Sequence, residues 1–272
     1  MNKIIIVLSL ALLSTSGSFA QEIDKNNTGE YSYTDAFAPY FYQQNGNSYR
    51  STSGKPGNAY WQNRADYKLS ARLNNDENKT TATEILTYTN NSPDELSFLW
   101  MSLDQNLFKD DSRGNAIIPP SGSRNGSRGQ KFNGGHKIGL VKLLSINGKS
   151  TNVDLKYMIN DTRLQLFLPE NLKAGGSSLK LQIDFSFISP EYGSDRMGVL
   201  ETKNGKIFTM AQWYPRMCVY DDISGWNTIP YTGPGEFYLN YGDFDVSITA
   251  PADHIVVCSG ELQNPTEVYT AT

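Results

Sequence analysis

From Trp61 onward, apolar and polar residues alternate at period two, not at the 3.6 of a helix. Tyr67, Leu69, Ala71 and Leu73 are separated by polar neighbours, which puts them on one face of a half-buried strand. The stretch 81–89 (TATEILTYT) is rich in β-branched residues and runs into Asn90-Asn91-Ser92-Pro93, a turn signal. These two strands are predicted to form a hairpin. Further strands are predicted over 96–101, 140–146, 153–159, 163–168 and 179–188, the last (LKLQIDFSFI) alternating most cleanly. Strands over 207–211, 237–239, 244–249 and 255–258 complete the set. Helical periodicity over about eleven residues is almost absent, and no repeat of fixed period suggests a propeller. The predicted fold class is all-β, a double-sheet saddle or sandwich.

The start of the chain follows a different pattern. Lys3 precedes a ten-residue apolar run, 4–13 (IIIVLSLALL), too short to span a bilayer, and Ser18-Phe19-Ala20 offers small residues at a cleavage site. Residues 1–20 are therefore expected to be a signal peptide, and the protein to be exported to the periplasm or beyond the cell. Residues 21–59 are polar and rich in Asn, Gly and Ser, with a Tyr/Phe cluster over 31–42, and read as a linker. The β-domain is expected to occupy 60–272. No other segment reaches the length of a membrane span.

Composition narrows the function classes. With 38% hydrophobic, 12% aromatic and 19% charged residues, a buried core is expected and general disorder is excluded. Lys plus Arg number 24 against 28 Asp plus Glu, a net charge of −4. Removing 1–20, which holds one Lys and no acid, leaves about −5, the wrong sign for a nucleic-acid footprint. Cys218 and Cys258, the two cysteines, could pair in an oxidising compartment or remain two thiols; spacing does not decide. Neither belongs to a C-x-x-C pair.

Candidate chemistry is sparse. His136 and His254 are the two histidines, and no H-E-x-x-H or H-x-x-x-H occurs, so no catalytic zinc site is visible. There is no G-x-S-x-G. Asp221 and Asp222 point to opposite faces if extended, whereas Asp243 and Asp245 share one; solvated edge-strand charges explain the latter pair as well as catalysis does. The stretch 112–137 carries six glycines, five cations and His136 but no acid, and reads as a solvated loop. The densest unusual segment is 209–241, with two Trp, five Tyr and three Pro. Such aromatics either cover a sheet end or form a rigid binding wall.

Within that segment, Ala211-Gln212-Trp213-Tyr214-Pro215-Arg216-Met217-Cys218-Val219-Tyr220-Asp221-Asp222 resembles the N-terminal β-domain of aminopeptidase N-like zinc metallopeptidases, peptidase family M1. The later Phe244-Asp245-Val246-Ser247-Ile248-Thr249-Ala250-Pro251 and Ser259-Gly260 look like the last strands of that domain. Upstream, Trp61-Gln62-Asn63 and Trp100-Met101-Ser102-Leu103-Asp104-Gln105-Asn106-Leu107-Phe108 resemble its exported bacterial branch. The likeness runs from about Tyr60 to Thr272.

The resemblance implies a β-domain that caps the substrate cleft of an exported zinc aminopeptidase. In the family, the H-E-x-x-H helix and later Glu ligand lie in a following catalytic domain. Zinc is thus expected in that domain and no cofactor here. The implied partners are the chain's own C-terminal catalytic domain and a peptide substrate, without nucleic acid. One site residue carries over: Gln212 matches the Gln that lines the pocket near the substrate's free amino end, where its carbonyl could accept from an ammonium. Arg216 and Asp222 are expected to form an internal ion pair. The alternative reading is a stand-alone exported β-sandwich that binds peptide or glycan through its aromatics. On either reading this chain alone has no catalytic residues.

Overall fold

The computed structural model describes residues 46–117, 132–191, 193, 196–233 and 237–269. The expected signal peptide, the linker as far as residue 45 and the middle of the Gly-rich loop lie outside the described residues.

The fold is nearly all β, as the alternation predicts. The hairpin of β1 (Arg64–Asn74) and β2 (Lys79–Asn90) forms in full register, from Arg64 opposite Thr89 to Asn74 opposite Lys79. β3 (Leu96–Ser102), β4 (Lys137–Ile146), β5 (Lys149–Asp154), β6 (Lys156–Asn160), β7 (Arg163–Leu172) and β8 (Ser177–Ile188) follow. After them come β9 (Met197–Thr202), β10 (Gly205–Met210), three two-residue bridging strands, β11 (Arg216–Met217), β12 (Tyr220–Asp221) and β13 (Gly225–Trp226), and finally β14 (Phe244–Thr249). A six-stranded sheet has the order β14-β1-β2-β8-β4-β5, and a four-stranded sheet the order β11-β3-β7-β6.

Inward residues of the large sheet (Tyr67, Leu69, Leu86, Leu181, Ile183, Phe185) share one apolar cluster with those of the small sheet (Leu99, Met101, Leu164, Leu166). The two sheets therefore pack face to face around a single core. The outward face of the large sheet is polar, with Thr81 and Thr83 on β2 beside Asp184 on β8, whose carboxylate accepts from the Thr83 hydroxyl at 2.8 Å.

Three strand expectations change, and one further hairpin strand is added. The strand expected over 153–159 is two strands in different sheets: β5 closes the large sheet, β6 edges the small one, and the chain crosses the sandwich at buried Leu155. Alternation continues through the crossing, so the pattern does not register it. β9, not expected, pairs with β10 through a turn containing Asn204 and Gly205, the latter at φ +109. Residues 237–239 and 255–258 are not strands; Phe237 instead lies against the Arg216 guanidinium, 4.0 Å from its ring centroid.

Cys218 and Cys258 are both free thiols, the first buried and the second exposed. Burial pushes the Cys218 thiol up to about 12. The described end of the linker, 46–59, is tied down through Arg50, which donates to Asp222 at 2.8–2.9 Å and lies 4.9 Å from the Tyr60 ring. The expected Arg216–Asp222 pair therefore does not form. Asp222 binds Arg50, and Arg216 binds Asp104, a residue distant in sequence that the antiparallel register of β3 and β11 brings alongside.

Candidate functional site

The segment 211–215 joins the β9–β10 hairpin to β11, and β11 pairs with the end of β3, Arg216 opposite Ser102. Carrying that antiparallel register three residues past Ser102 places Gln105 beside the segment. A short 3-10 turn, Asp104–Phe108, follows β3, and all five of its residues are buried. Three consecutive polar side chains in this turn take three different partners.

Asp104 accepts from the Ser102 hydroxyl at 2.6 Å and from Arg216. Burial lowers Arg216 to about 10, which leaves it charged at neutral pH, and both partners are almost fully buried. Such a pair is costly to break, because the surviving charge is stranded in low dielectric. Gln105 donates from Nε2 to the carbonyls of Ala211 at 3.0 Å and Gln212 at 3.1 Å. Two acceptors facing one amide end fix which end is the nitrogen. Asn106 donates to the Asp161 carbonyl at 2.8 Å, and its Oδ1 accepts from the His136 backbone N–H at 2.9 Å.

His136 completes the clamp. Its Nε2 lies 3.2 Å from the Trp213 carbonyl, so this nitrogen carries the proton and donates. Burial lowers the imidazole to about 4, and it stays neutral against the edges of Phe185 and Phe187. Three successive carbonyls, those of Ala211, Gln212 and Trp213, are thus held by buried side chains.

Gln212, the one site residue expected from sequence, sits at the centre of this clamp with φ +50. A left-handed backbone costs a non-glycine residue about 1 kcal/mol or more, and the three held carbonyls offset it. The Gln212 side chain is half-buried, and its amide has no hydrogen-bond partner among the described residues. The structure therefore presents a fixed backbone with a free amide.

Four of the seven Trp and Tyr residues in the aromatic-rich segment, Trp213, Tyr214, Tyr220 and Trp226, pack half-buried against the core, whereas Tyr238 and Tyr241 are exposed. Trp213 lies 6.3 Å from Phe185 and 5.3 Å from Tyr214, and Tyr214 lies 5.3 Å from Tyr67. Trp226 and Tyr220 pack with Tyr88 and Trp61. The hollow lined by Tyr60, Trp61, Tyr220, Tyr238 and Tyr241 measures about 20 Å³, room for about one water and not for a side chain or a sugar. No aromatic binding wall stands open there.

One edge of this cluster is uncovered. β14 runs parallel to β1, Phe244 opposite Tyr67 and Ile248 opposite Ala71, so Phe244, Val246 and Ile248 continue the inward, apolar face of the large sheet. Phe244 stacks on Tyr67 at 5.0 Å and lies 6.0 Å from Tyr214, yet it is 52% exposed; Val246 and Ile248 are each 40% exposed. The core face extends beyond the cover of the four-stranded sheet. Asp243 and Asp245 pair with Arg64 and Lys68 at 2.7 and 3.2 Å, as edge charges do.

Sequence reasoning did not single out Glu84. It lies on β2 between Leu69 and Ile183, is fully buried, and neither carboxylate oxygen has a hydrogen-bond partner among the described residues. Burial holds its carboxyl well above the usual range, so it stays protonated. A lone Glu on the apolar side of an alternating strand was the available signal. His254 bonds Asp253 at 2.9 Å and lies 6.0 Å from the Phe208 ring. Among the described residues no three His, Cys, Asp or Glu gather as a metal site, and no helix is long and apolar enough to cross a membrane.

No family model matches the chain, and no curated protein matches it by sequence. Among solved structures it is similar to a variant of a two-domain M1 zinc metallopeptidase bound to L-tryptophan, with 12% identity and a TM-score of 0.35, over 73% of this chain and 35% of that one. A variant of the M1 zinc metallopeptidase of Deinococcus radiodurans bound to a Tyr-Ser-Ala substrate gives 12% and 0.34, over 70% and 33%. The M1 zinc metallopeptidase from that organism gives 13% and 0.33, over 70% and 32%. The chain spans about a third of the length of these structures.

Proposed function

We propose that this chain is the substrate-cleft-capping β-domain of an exported zinc aminopeptidase-like metallopeptidase, packed in the whole protein against a C-terminal catalytic domain. The observation that carries the reading is the junction of two features at one sheet edge. A Gln held in a left-handed backbone with its amide free lies two residues from Tyr214, and Tyr214 packs on Phe244, where an uncovered apolar core face begins. An uncovered core face calls for a covering domain, and a free amide beside it suits a ligand held between the two.

In this reading Gln212 accepts a hydrogen bond from the α-ammonium of a bound peptide, and the apolar row from Phe244 to Ile248 lies in the domain interface. In the same reading the zinc lies in the second domain, where it would polarise a carbonyl and activate water. This chain's own contribution is binding and orientation. Both Trp rings of the aromatic segment, with Tyr214 and Tyr220, are taken up by internal packing, which favours this reading over a stand-alone aromatic binding module.

The test uses the product of the complete reading frame. Stoichiometric zinc, aminopeptidase activity and a raised KM in Gln212→Ala are expected. A frame that stops after codon 272, giving a metal-free product without peptidase activity, would refute the reading.

A further inference from the structure

We infer that Gln105 is a positioning residue for Gln212: its amide, with the imidazole of His136, grips the backbone on both sides of Gln212 and so sets where the Gln212 side chain points. The inference rests on the proposed role of Gln212 only in its kinetic consequence. The geometric part stands alone.

The register of β3 and β11 sets Gln105 beside the segment. Gln105 is 1% exposed and spends both Nε2 hydrogens on two successive carbonyls, while its Oε1 makes no hydrogen bond among the described residues. A glutamine serving only its own burial would satisfy both ends of its amide. This one leaves its acceptor bare while its donor end holds a loop. His136, 3% exposed, does the same from the opposite element: Nε2 holds the Trp213 carbonyl and Nδ1 makes no hydrogen bond among the described residues. Gln105 holds the carbonyls of Ala211 and Gln212 and His136 that of Trp213, so the two grips flank Gln212, a residue at φ +50 that carries a Cβ. Three consecutive held carbonyls restrain the backbone of the loop, and the Gln212 amide takes no part in the clamp.

The turn that supplies this grip also anchors it. Asp104 fixes Arg216 at the start of β11, and Asn106 binds both the Asp161 carbonyl and the His136 backbone, so the two clamping side chains are themselves tied to one hub. The Asp-Gln-Asn run thus acts as a support for the site one layer above it.

The first test is NMR on this 272-residue chain. Wild type should show the backbone carbon shifts and HN–Hα coupling of a left-handed residue at Gln212. Gln105→Met, which keeps length and removes the donor, should shift Gln212 to the signature of negative φ while Arg216 and Met101 keep theirs. An unchanged Gln212 signature overturns the inference. Should that variant not fold, wild type alone decides: both Gln105 side-chain amide protons should exchange slowly, and free-amide exchange overturns it.

The second test uses the intact gene product and leucine p-nitroanilide. Gln105→Met should raise KM about tenfold with kcat within about twofold, the loss of one hydrogen bond to a charged group. The double variant with Gln212→Ala should be no worse than Gln212→Ala alone, since one acts through the other. Additive losses overturn the positioning role. No KM change in Gln212→Ala would instead sink the substrate contact, leaving the NMR result to judge the clamp.

Discussion

Glu84 gives the sharpest quantitative prediction. Its carboxyl is completely buried on the central strand β2, flanked across the ladder by Leu69 and Ile183, and neither oxygen has a partner among the described residues. The neighbourhood offers no relief: Tyr67 and Tyr214 face it, and burial drives both phenols up, so they stay neutral. Folding therefore raises the Glu84 pKa above its ordinary 4.5. Below 4.5 folded and unfolded states are both protonated, and Glu84 costs the fold no ionisation energy. Between 4.5 and the raised folded value the unfolded chain binds fewer protons than the folded one. Stability in that window falls with rising pH by about 1.4 kcal/mol per unit.

Glu84→Gln keeps the shape and removes the titration. Urea unfolding of both proteins at pH 5 and pH 6 isolates the effect, because every other group cancels in the difference. The stability of Glu84→Gln relative to wild type should grow over that unit, by at most about 1.4 kcal/mol, against a total of about 5–15 kcal/mol. Glu84→Leu should do better still at neutral pH, since it removes the unpaired polar atoms altogether. A difference between wild type and Glu84→Gln that does not change with pH would show that Glu84 is solvated or paired in solution, and the argument from burial would fail.

Asp104→Asn should destabilise the fold by about 3–5 kcal/mol by leaving Arg216 charged and unpaired in the core; a loss under about 1 kcal/mol in urea would mean that solvent reaches the pair. Val246→Lys with Ile248→Lys should reduce self-association of the isolated chain in sedimentation without changing its melting temperature, because both side chains stand on the uncovered face. Equal self-association would mean that this face is not adhesive. Toward Ellman's reagent, Cys258 should react at once and Cys218 only on unfolding, since the second thiol is buried and pushed up to about 12. Two fast thiols would contradict that burial.

The asymmetry of Asp104, Gln105 and Asn106 shows how a motif can be visible and its role hidden. Three consecutive polar residues in the mostly apolar run 96–108 are conspicuous in the sequence. Their partners, Arg216, the carbonyls of Ala211 and Gln212, and the Asp161 and His136 backbones, lie 30 to 112 residues on and meet them through the β3–β11 register and the chain path around it. No local pattern encodes which of the three takes which partner.

The sequence alone determined what depends on period and local chemistry. Alternation at two residues specified β1, β2, β3, β7 and β8 and their inward faces, because a pleated strand sends successive side chains to opposite sides. Asn-Ser-Pro closed β2, and the Asp243 and Asp245 charges marked an edge. Tertiary structure decided everything that depends on which strands are neighbours. It split 153–159 between two sheets at Leu155, exchanged the expected Arg216–Asp222 pair for Arg216–Asp104 and Arg50–Asp222, and left Cys218 and Cys258 apart. It also buried Glu84 without a partner and bent Gln212 into a left-handed backbone between two clamps. Ion pairs, burial and backbone strain are set by distances between residues far apart in the chain, and those distances exist only once the sheets have packed.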